Sequence, residues 1–316
     1  IKAYLQLNQL FGQDLYLKVG RFGNDQGGSR IFGPGNWSWA GPRTYDGIKA
    51  GFSTNWFKFN IWRFYGPNGD RHWYPDPSKL PAYSLPNPNL DHTMDHSLTG
   101  FDLRFLEDKL QFLTFLDYDG QPIKKDPKNN GSPCLADLTL MRFTSALYFQ
   151  WSQPDWQRAG GLSFKSDLAY QWGYAGDNQG RHHITAWLVA AQLKYSLGGT
   201  FSPWFGFGID VTSPDDAPSE GTVTYFYDTY HSKHGIRGHM DYFTNPLKDA
   251  AYGLQNYVIK AGFKPFDTIS YAVDVHFFRN FKRPGRSDNQ SVSPMILGVE
   301  VDNSMAWNLR KNVDIK

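Results

Sequence analysis

Residues Thr268–Phe278, TISYAVDVHFF, alternate without a break. In an extended chain Ile269, Tyr271, Val273, Val275 and Phe277 share one face, while Ser270, Ala272, Asp274 and His276 share the other. The first face is broad, apolar and aromatic; the second carries charge. A soluble sandwich would bury the first and wet the second. A transmembrane barrel does the reverse, turning the apolar face to lipid and the polar face to a water-filled interior.

The same two-residue period recurs along the chain. It predicts strands near 2–9, 14–23, 43–54, 56–66, 97–107, 109–118, 136–151, 160–174, 183–197, 202–212, 253–264, 267–279 and 294–307. The links at 54–56, 107–109, 197–202 and 264–267 are short, with 153–159 intermediate on the same side. Those at 24–42, 67–96, 119–135, 213–252 and 280–293 are long and rich in Gly, Pro, Asn and Asp. Sorting of short turns to one end and long loops to the other is the habit of outer-membrane barrels, whose long loops face outward from the cell.

The expected fold is therefore all-β: a transmembrane antiparallel up-and-down β-barrel, about 13–14 strands in this chain and about 16–18 when complete. Residues 1–316 form one outer-membrane domain. The turn-like Leu309–Asn312 followed by the strand-like Val313–Lys316 reads as a fragment that stops short at its C-terminal end, with the N-terminal end open to the same reading.

Composition agrees. Mean hydropathy is −0.53 and no run approaches the roughly 18 apolar residues of a spanning helix, which leaves strands as the spanning element. Aromatics make up 17% of residues and gather near strand ends, where interfacial girdles need them. A formal net charge of +2 offers no basic face for nucleic acid. The single cysteine, Cys134, excludes an internal disulfide. The competing soluble reading is an aromatic-rich carbohydrate-binding sandwich or propeller.

Strand parity assigns the interior. It places Lys18, Lys49, Lys58, Asp102, Arg104, Arg142, Lys165, Asp167, Lys194, Asp210, Lys260, Asp274, His276, Glu300 and Asp302 inward. Arg21 and Arg63 share parity with apolar neighbours, so they belong at the rim or beyond a bulge; with Arg43 and Asp46 they complete the candidate solute-contacting set. Such mixed charge, with basic residues ahead, would favour anionic solutes. The plainer account is that opposite charges on neighbouring strands satisfy one another. Asp91, His92, Asp95 and His96, with His72 in the same loop, are weak metal-ligand candidates, and no cofactor is expected. Ser97, Ser166 and Ser219 lack a nucleophile-elbow context, and Gly23–Gly35 lacks the Lys of a phosphate loop, which argues against an enzyme.

A series of motifs adds a family. Gly20-Arg21-Phe22 leads through Asp25, Gly27 and Gly28 to Arg30-Ile31-Phe32-Gly33, Trp37 and Arg43-Thr44-Tyr45-Asp46-Gly47. Asp210, Ser213-Pro214-Asp215, Phe226, Tyr230-His231 and Gly238-His239-Met240-Asp241-Tyr242-Phe243 follow. Gly253-Leu254, Val275-His276-Phe277-Phe278 and Leu297-Gly298-Val299-Glu300-Val301-Asp302 close the series. In order and spacing it resembles the alginate export family of bacterial outer-membrane barrels. The resemblance implies about 18 strands, a basic interior that attracts a polyuronate, and access limited by an extracellular loop and a periplasmic turn. The Gly238–Phe243 variant and the balanced inward charge suggest a divergent branch. Expected surroundings are outer-membrane lipid and a polar or anionic saccharide, alginate-like or otherwise. The alternative is a barrel scaffold that anchors or threads a partner protein in an outer-membrane complex without passing solute.

Overall fold

The computed structural model describes residues 2–12, 14–24, 26, 30–32, 44–65, 97–119, 140–177, 180–214, 222–227, 236–240, 253–266, 268–281, 296–310 and 313–315. The strands are β1 (Ala3–Leu7), β2 (Leu15–Phe22), β3 (Tyr45–Ser53), β4 (Phe57–Tyr65), β5 (Ser97–Phe105), β6 (Leu110–Asp119), β7 (Leu140–Ser152) and β8 (Gly161–Asp177). They continue as β9 (Gly180–Ser196), β10 (Trp204–Thr212), β11 (Thr222–Val223), β12 (Leu254–Phe266), β13 (Ile269–Asn280), β14 (Ile296–Arg310) and β15 (Val313–Ile315). Each pairs antiparallel with the next in sequence, except that β10 pairs directly with β12 and the two-residue β11 lies parallel to β9. Among the described residues no pairing joins β1 to β15, so the sheet is open there. This is the all-β, antiparallel up-and-down order of strands that the alternation predicts.

The alternation fixes the two faces because a one-residue slip would exchange them. Outward positions such as Ile61, Leu147, Leu168, Tyr170, Phe205, Phe207, Ile259, Val299 and Val301 are exposed apolar side chains. Rings ladder across this face: Phe59 meets Phe101 at 6.2 Å, Phe101 meets Phe112 at 6.1 Å, and Phe143 stacks on Trp172 at 5.4 Å. On a soluble protein such a surface would demand cover; in a bilayer lipid covers it.

Short turns close one end. Thr54 Oγ1 accepts hydrogen bonds from the Trp56 and Phe57 amides between β3 and β4. Leu106, Glu107 and Asp108 turn β5 into β6 with three successive positive φ angles of 54°, 57° and 68°. The intermediate link after β7 holds a single helical turn, α1 (Trp156–Ala159). At the opposite end β8 and β9 extend to pair at Asp177 and Gly180, beyond the bounds of 174 and 183 that the alternation predicts.

The inward face is not uniformly wet. Phe22, Tyr45, Trp62, Phe64, Leu98, Leu113 and Phe115, all inward by register, are buried, together with Ala146, Ala169, Ala186, Leu188 and Ala190. Ile31, Phe32 and Phe226, from segments between strands, pack onto them. Phe32 lies 5.4 Å from Trp62 and 4.9 Å from Phe115, and Trp62 stacks on Phe64 at 4.7 Å. The interior therefore has a hydrophobic core of its own, built where connecting segments fold back against the wall.

Candidate channel lining

Three stretches from between the strands contact the inward wall, each held by polar groups. The first comprises Asn24, Gln26 and Arg30–Phe32, and the Gln26 amide donates to Phe32 O at 3.1 Å. Gln26 Nε2 donates to Asp102 Oδ1 at 2.7 Å and to Asn24 Oδ1 at 3.1 Å. Asp102, only 1% exposed, also accepts from Asn60 Nδ2 at 2.6 Å and Arg104 Nε at 2.9 Å. Lys49 Nζ donates to Asn24 Oδ1 at 3.0 Å and lies 4.0 Å from Asp102. Farther along the same stretch Arg30 bridges two strands, pairing with Asp167 of β8 at 3.2 Å and with Asp210 of β10.

The second stretch, Thr222–Tyr227, is clamped by Gln171 of β8. The Gln171 amide donates to Tyr227 O at 2.8 Å and accepts from Tyr227 N at 2.9 Å. Arg142, which pairs with Asp117, sits 4.3 Å from the centre of the Tyr227 ring. The third stretch is Ile236–Met240. Arg237, 2% exposed at its side chain, approaches Asp210 at 3.7 Å, and Asn256 Nδ2 donates to Ile236 O at 3.2 Å. The amides of His239 and Met240 donate to Asp302 Oδ2 at 3.2 Å and Glu300 Oε1 at 2.7 Å. Gly238 has φ +84°, and a Cβ there would fall on the Glu300 carboxylate, so this close approach needs glycine.

Buried carboxylates are tolerated when their charge is met by fixed donors. Asp102, Asp117, Asp167, Asp210, Glu300 and Asp302 are all buried. The anchoring donors at Asp102, Asp167 and Asp210 come in large part from Gln26, Arg30 and Arg237, none of them on a strand.

Charges of both signs lie in successive rows of the inward face. Asp167, Ala190, Asp210 and Asn256 form one row of inward residues across β8, β9, β10 and β12. One step toward the short turns runs Lys165, Gln192, Gly208, Val258, His276 and Glu300; the next step runs Ser163, Lys194, Gly206, Lys260, Asp274 and Asp302. Across β4 and β5, Lys58 and Arg104 likewise follow Asn60 and Asp102. Lys58, Arg104, Lys165 and Lys194 thus lie on the short-turn side of Asp102, Asp167 and Asp210, whereas Glu300, Asp274 and Asp302 share the lysine rows and Lys49 lies one row to the long-loop side of Asp102. Gly206 has no side chain between its register partners Lys194 and Lys260; a Cβ there would come within 3.0 Å of Lys194 Cγ and 3.6 Å of Lys260 Cβ. Lys260 pairs with Asp274, and Lys194 Nζ stands 4.4 Å over the Trp204 ring. Lys165 is exposed and has no ion-pair partner among the described residues. Lys18 Nζ lies 3.8 Å from the Tyr4 ring centre, and Lys58 pairs with Asp108 at 2.8 Å. His276, 1% exposed, has its Nδ1 at 3.0 Å from Asn256 Oδ1 and its Nε2 at 3.5 Å from Asp302.

Three members of the sequence-derived set do not line this wall. Arg21, Asp46 and Arg63 lie on the outward face, since β2, β3 and β4 pair in unbroken register with no bulge to turn them in. Arg43 and the metal candidates Asp91, His92, Asp95 and His96 lie outside the described residues, as does His72. The sequence-derived set left out Asp117 and Asn60 among the wall residues. It also missed Arg30 and Arg237, which have no strand parity; their signal was charge within otherwise uncharged Gly-flanked stretches.

No curated protein matches the chain in sequence. Among solved structures it is similar to the outer membrane channel DcaP of Acinetobacter baumannii, at 11% identity and a TM-score of 0.45, over 93% of this chain and 71% of that one. A family model described as Alginate export matches residues 129–302, which carry β7 through most of β14 and include the Lys165, Lys194 and Lys260 rows. The match spans more than half of the sequence, and the chain belongs to the alginate export family of the bacterial outer membrane.

Proposed function

We propose that this protein is a porin-like channel that passes an anionic saccharide of the alginate type, using the inward lysines as weak successive contacts. The family supports transport rather than catalysis. The observation that carries the anionic reading is the offset of charges. Asp102, Asp167, Asp210, Glu300 and Asp302 take donors from the inserted stretches and Asp274 takes Lys260, whereas Lys165 and Lys194 have no ion-pair partner among the described residues and lie one and two rows nearer the short turns than Asp167 and Asp210. Lys18, Lys49, Lys58 and Arg104 extend the basic set on the other wall. Asp102, Arg142, Asp167, Asp210, Asp274, His276, Glu300 and Asp302 hold the segments and lysines in place.

A polyuronate presents carboxylates at regular intervals, and ammonium groups replace part of their hydration through charge-assisted bonds. Several modest contacts suit conduction better than one tight site, because each must release what it binds. Alternating neutral and acidic neighbours keep each contact modest. The chain as a single barrel domain, whatever its full strand number, is part of this reading.

The test is single-channel conductance in planar bilayers with oligouronate added on the short-turn side. The reading expects anion-preferring current that the oligouronate blocks, with block weakened about ten-fold in the Lys165→Gln/Lys194→Gln double variant, the loss of two modest charge contacts. Cation-preferring current, or block indifferent to these lysines, would overturn it.

A further inference from the structure

Arg63 occupies an unusual position. The residues that share its face of β4, Phe57, Phe59, Ile61 and Tyr65, turn outward, and β4 keeps unbroken register with β3 and β5 on both sides. Arg63 therefore points away from the channel. It is exposed, its guanidinium lies 5.4 Å from the centre of the Tyr65 ring, and no ion-pair partner is found for it among the described residues. On the adjoining strands the same outward face carries Arg21 and Asp46, register partners joined by Arg21 Nε to Asp46 Oδ1 at 2.8 Å and Nη2 to Oδ2 at 2.5 Å. Thr99 stands opposite Arg63 on β5, and Tyr118 of β6 is exposed one row farther on.

This group sits at the long-loop ends of β2 to β6. Toward the short turns the same face of β2 to β4 becomes purely apolar: Leu15, Leu17 and Val19 on β2, Ile48, Ala50 and Phe52 on β3, Phe57, Phe59 and Ile61 on β4. The charged and phenolic residues thus mark where the hydrocarbon band stops, on the side where the long loops leave the membrane. Asp46 cancels Arg21, which leaves the formal positive charge of Arg63 unmatched among the described residues. A guanidinium at the edge of a bilayer is strongly favoured to find an anion, and its planar fork matches phosphate oxygens two at a time.

We propose that Arg63, steadied by Tyr65 and flanked by the Arg21–Asp46 pair and Thr99, is a site for the phosphate of a phosphorylated glycolipid in the outer leaflet. The Tyr65 ring keeps the guanidinium oriented and offers its own flat face to the sugar. The apolar residues beneath it give the acyl chains a wall to lie against. Nothing in this site depends on the channel's solute.

The protein would be placed in phosphatidylethanolamine nanodiscs containing diphosphorylated lipid A or its phosphate-free counterpart, and retained lipid counted by native mass spectrometry. Wild-type protein is expected to hold lipid A and not the phosphate-free form. Arg63→Gln should lower retention about ten-fold, the loss of one charge-assisted contact, and Arg63→Lys should restore part of it. Lys109→Ala, which removes an exposed cation at the short-turn end, should change nothing. Equal retention by Arg63→Gln, equal retention of the phosphate-free lipid, or displacement of lipid A by excess inorganic phosphate would each overturn the proposal. A channel that fails to conduct saccharide while Arg63 still governs lipid retention would refute the transport reading alone.

Discussion

The Asp210→Asn variant examines the inserted segments at their point of greatest charge. Asp210 is 3% exposed, takes an ion pair from Arg30 and faces Arg237 at 3.7 Å. Arg30 also reaches Asp167 at 3.2 Å, so two carboxylates and two guanidinium groups balance in one buried cluster. Asparagine keeps the shape but removes one negative charge, leaving a formal excess of +1 in the cluster. At an effective dielectric of about 20, a charge pair at about 4 Å is worth about 4 kcal/mol. Breaking a buried pair from one side typically costs about 3–5 kcal/mol. The cost should fall on the attachments of both stretches at once. Amide hydrogen exchange in liposomes would then show protection lost together around 30–32 and 236–240, while the strand amides of β8 and β10 stay protected. The comparison variant is Asp108→Asn, whose partner Lys58 is 48% exposed at its side chain, and its effect should stay below about 1 kcal/mol. If Asp210→Asn leaves exchange at both stretches unchanged, or if Asp108→Asn does equal damage, the argument that Asp210 anchors them by charge is wrong.

Two stability predictions follow from backbone geometry. Gly238→Ala should cost about 1–3 kcal/mol locally, because φ is +84° and the new Cβ meets the Glu300 carboxylate; exchange at His239 and Met240 should rise while the rest of β14 is unaffected. Conversely, Glu107→Gly in the β5–β6 turn removes a left-handed penalty of about 1–2 kcal/mol at φ 57°, partly offset by the added freedom of the unfolded chain, and should raise the urea midpoint for unfolding from vesicles. The side chain of Glu107 is 84% exposed, so its pairing with Lys109 contributes little to set against that gain.

The wall was legible in the sequence because a period of two, sustained for about ten residues, leaves one arrangement that hides apolar side chains from water on both sides of a bilayer. That logic placed β5, β8, β12 and β13 with their faces correct. It weakened in β4, where Trp62 and Phe64 are as apolar as Ile61 and Phe59, so that Arg63 became the odd residue on either assignment. Only the burial of Trp62 and Phe64 beneath Phe32 and Phe115 explains why both faces are apolar there. The inserted stretches were harder still. β11 is two residues long and carries no period, and the placement of Gln26, Arg30, Tyr227 and Arg237 depends on Asp102, Asp210, Gln171 and Arg142, residues tens to hundreds of positions away. No local pattern encodes a partner at that separation; complementary charge does, but only once the sheet has brought the two together.

The arginines that the inserted stretches carry have one more consequence. While Arg30 and Arg237 rest on Asp167 and Asp210, and the amides of residues 239 and 240 rest on Asp302 and Glu300, four carboxylates are withheld from any passing ion. Were those stretches to withdraw, the same four groups would face the conduit beside the lysines, and its preference would swing from anions toward cations. In the proposed channel, permselectivity and aperture would then be a single variable, and the widest state would be the one least hospitable to a polyanion.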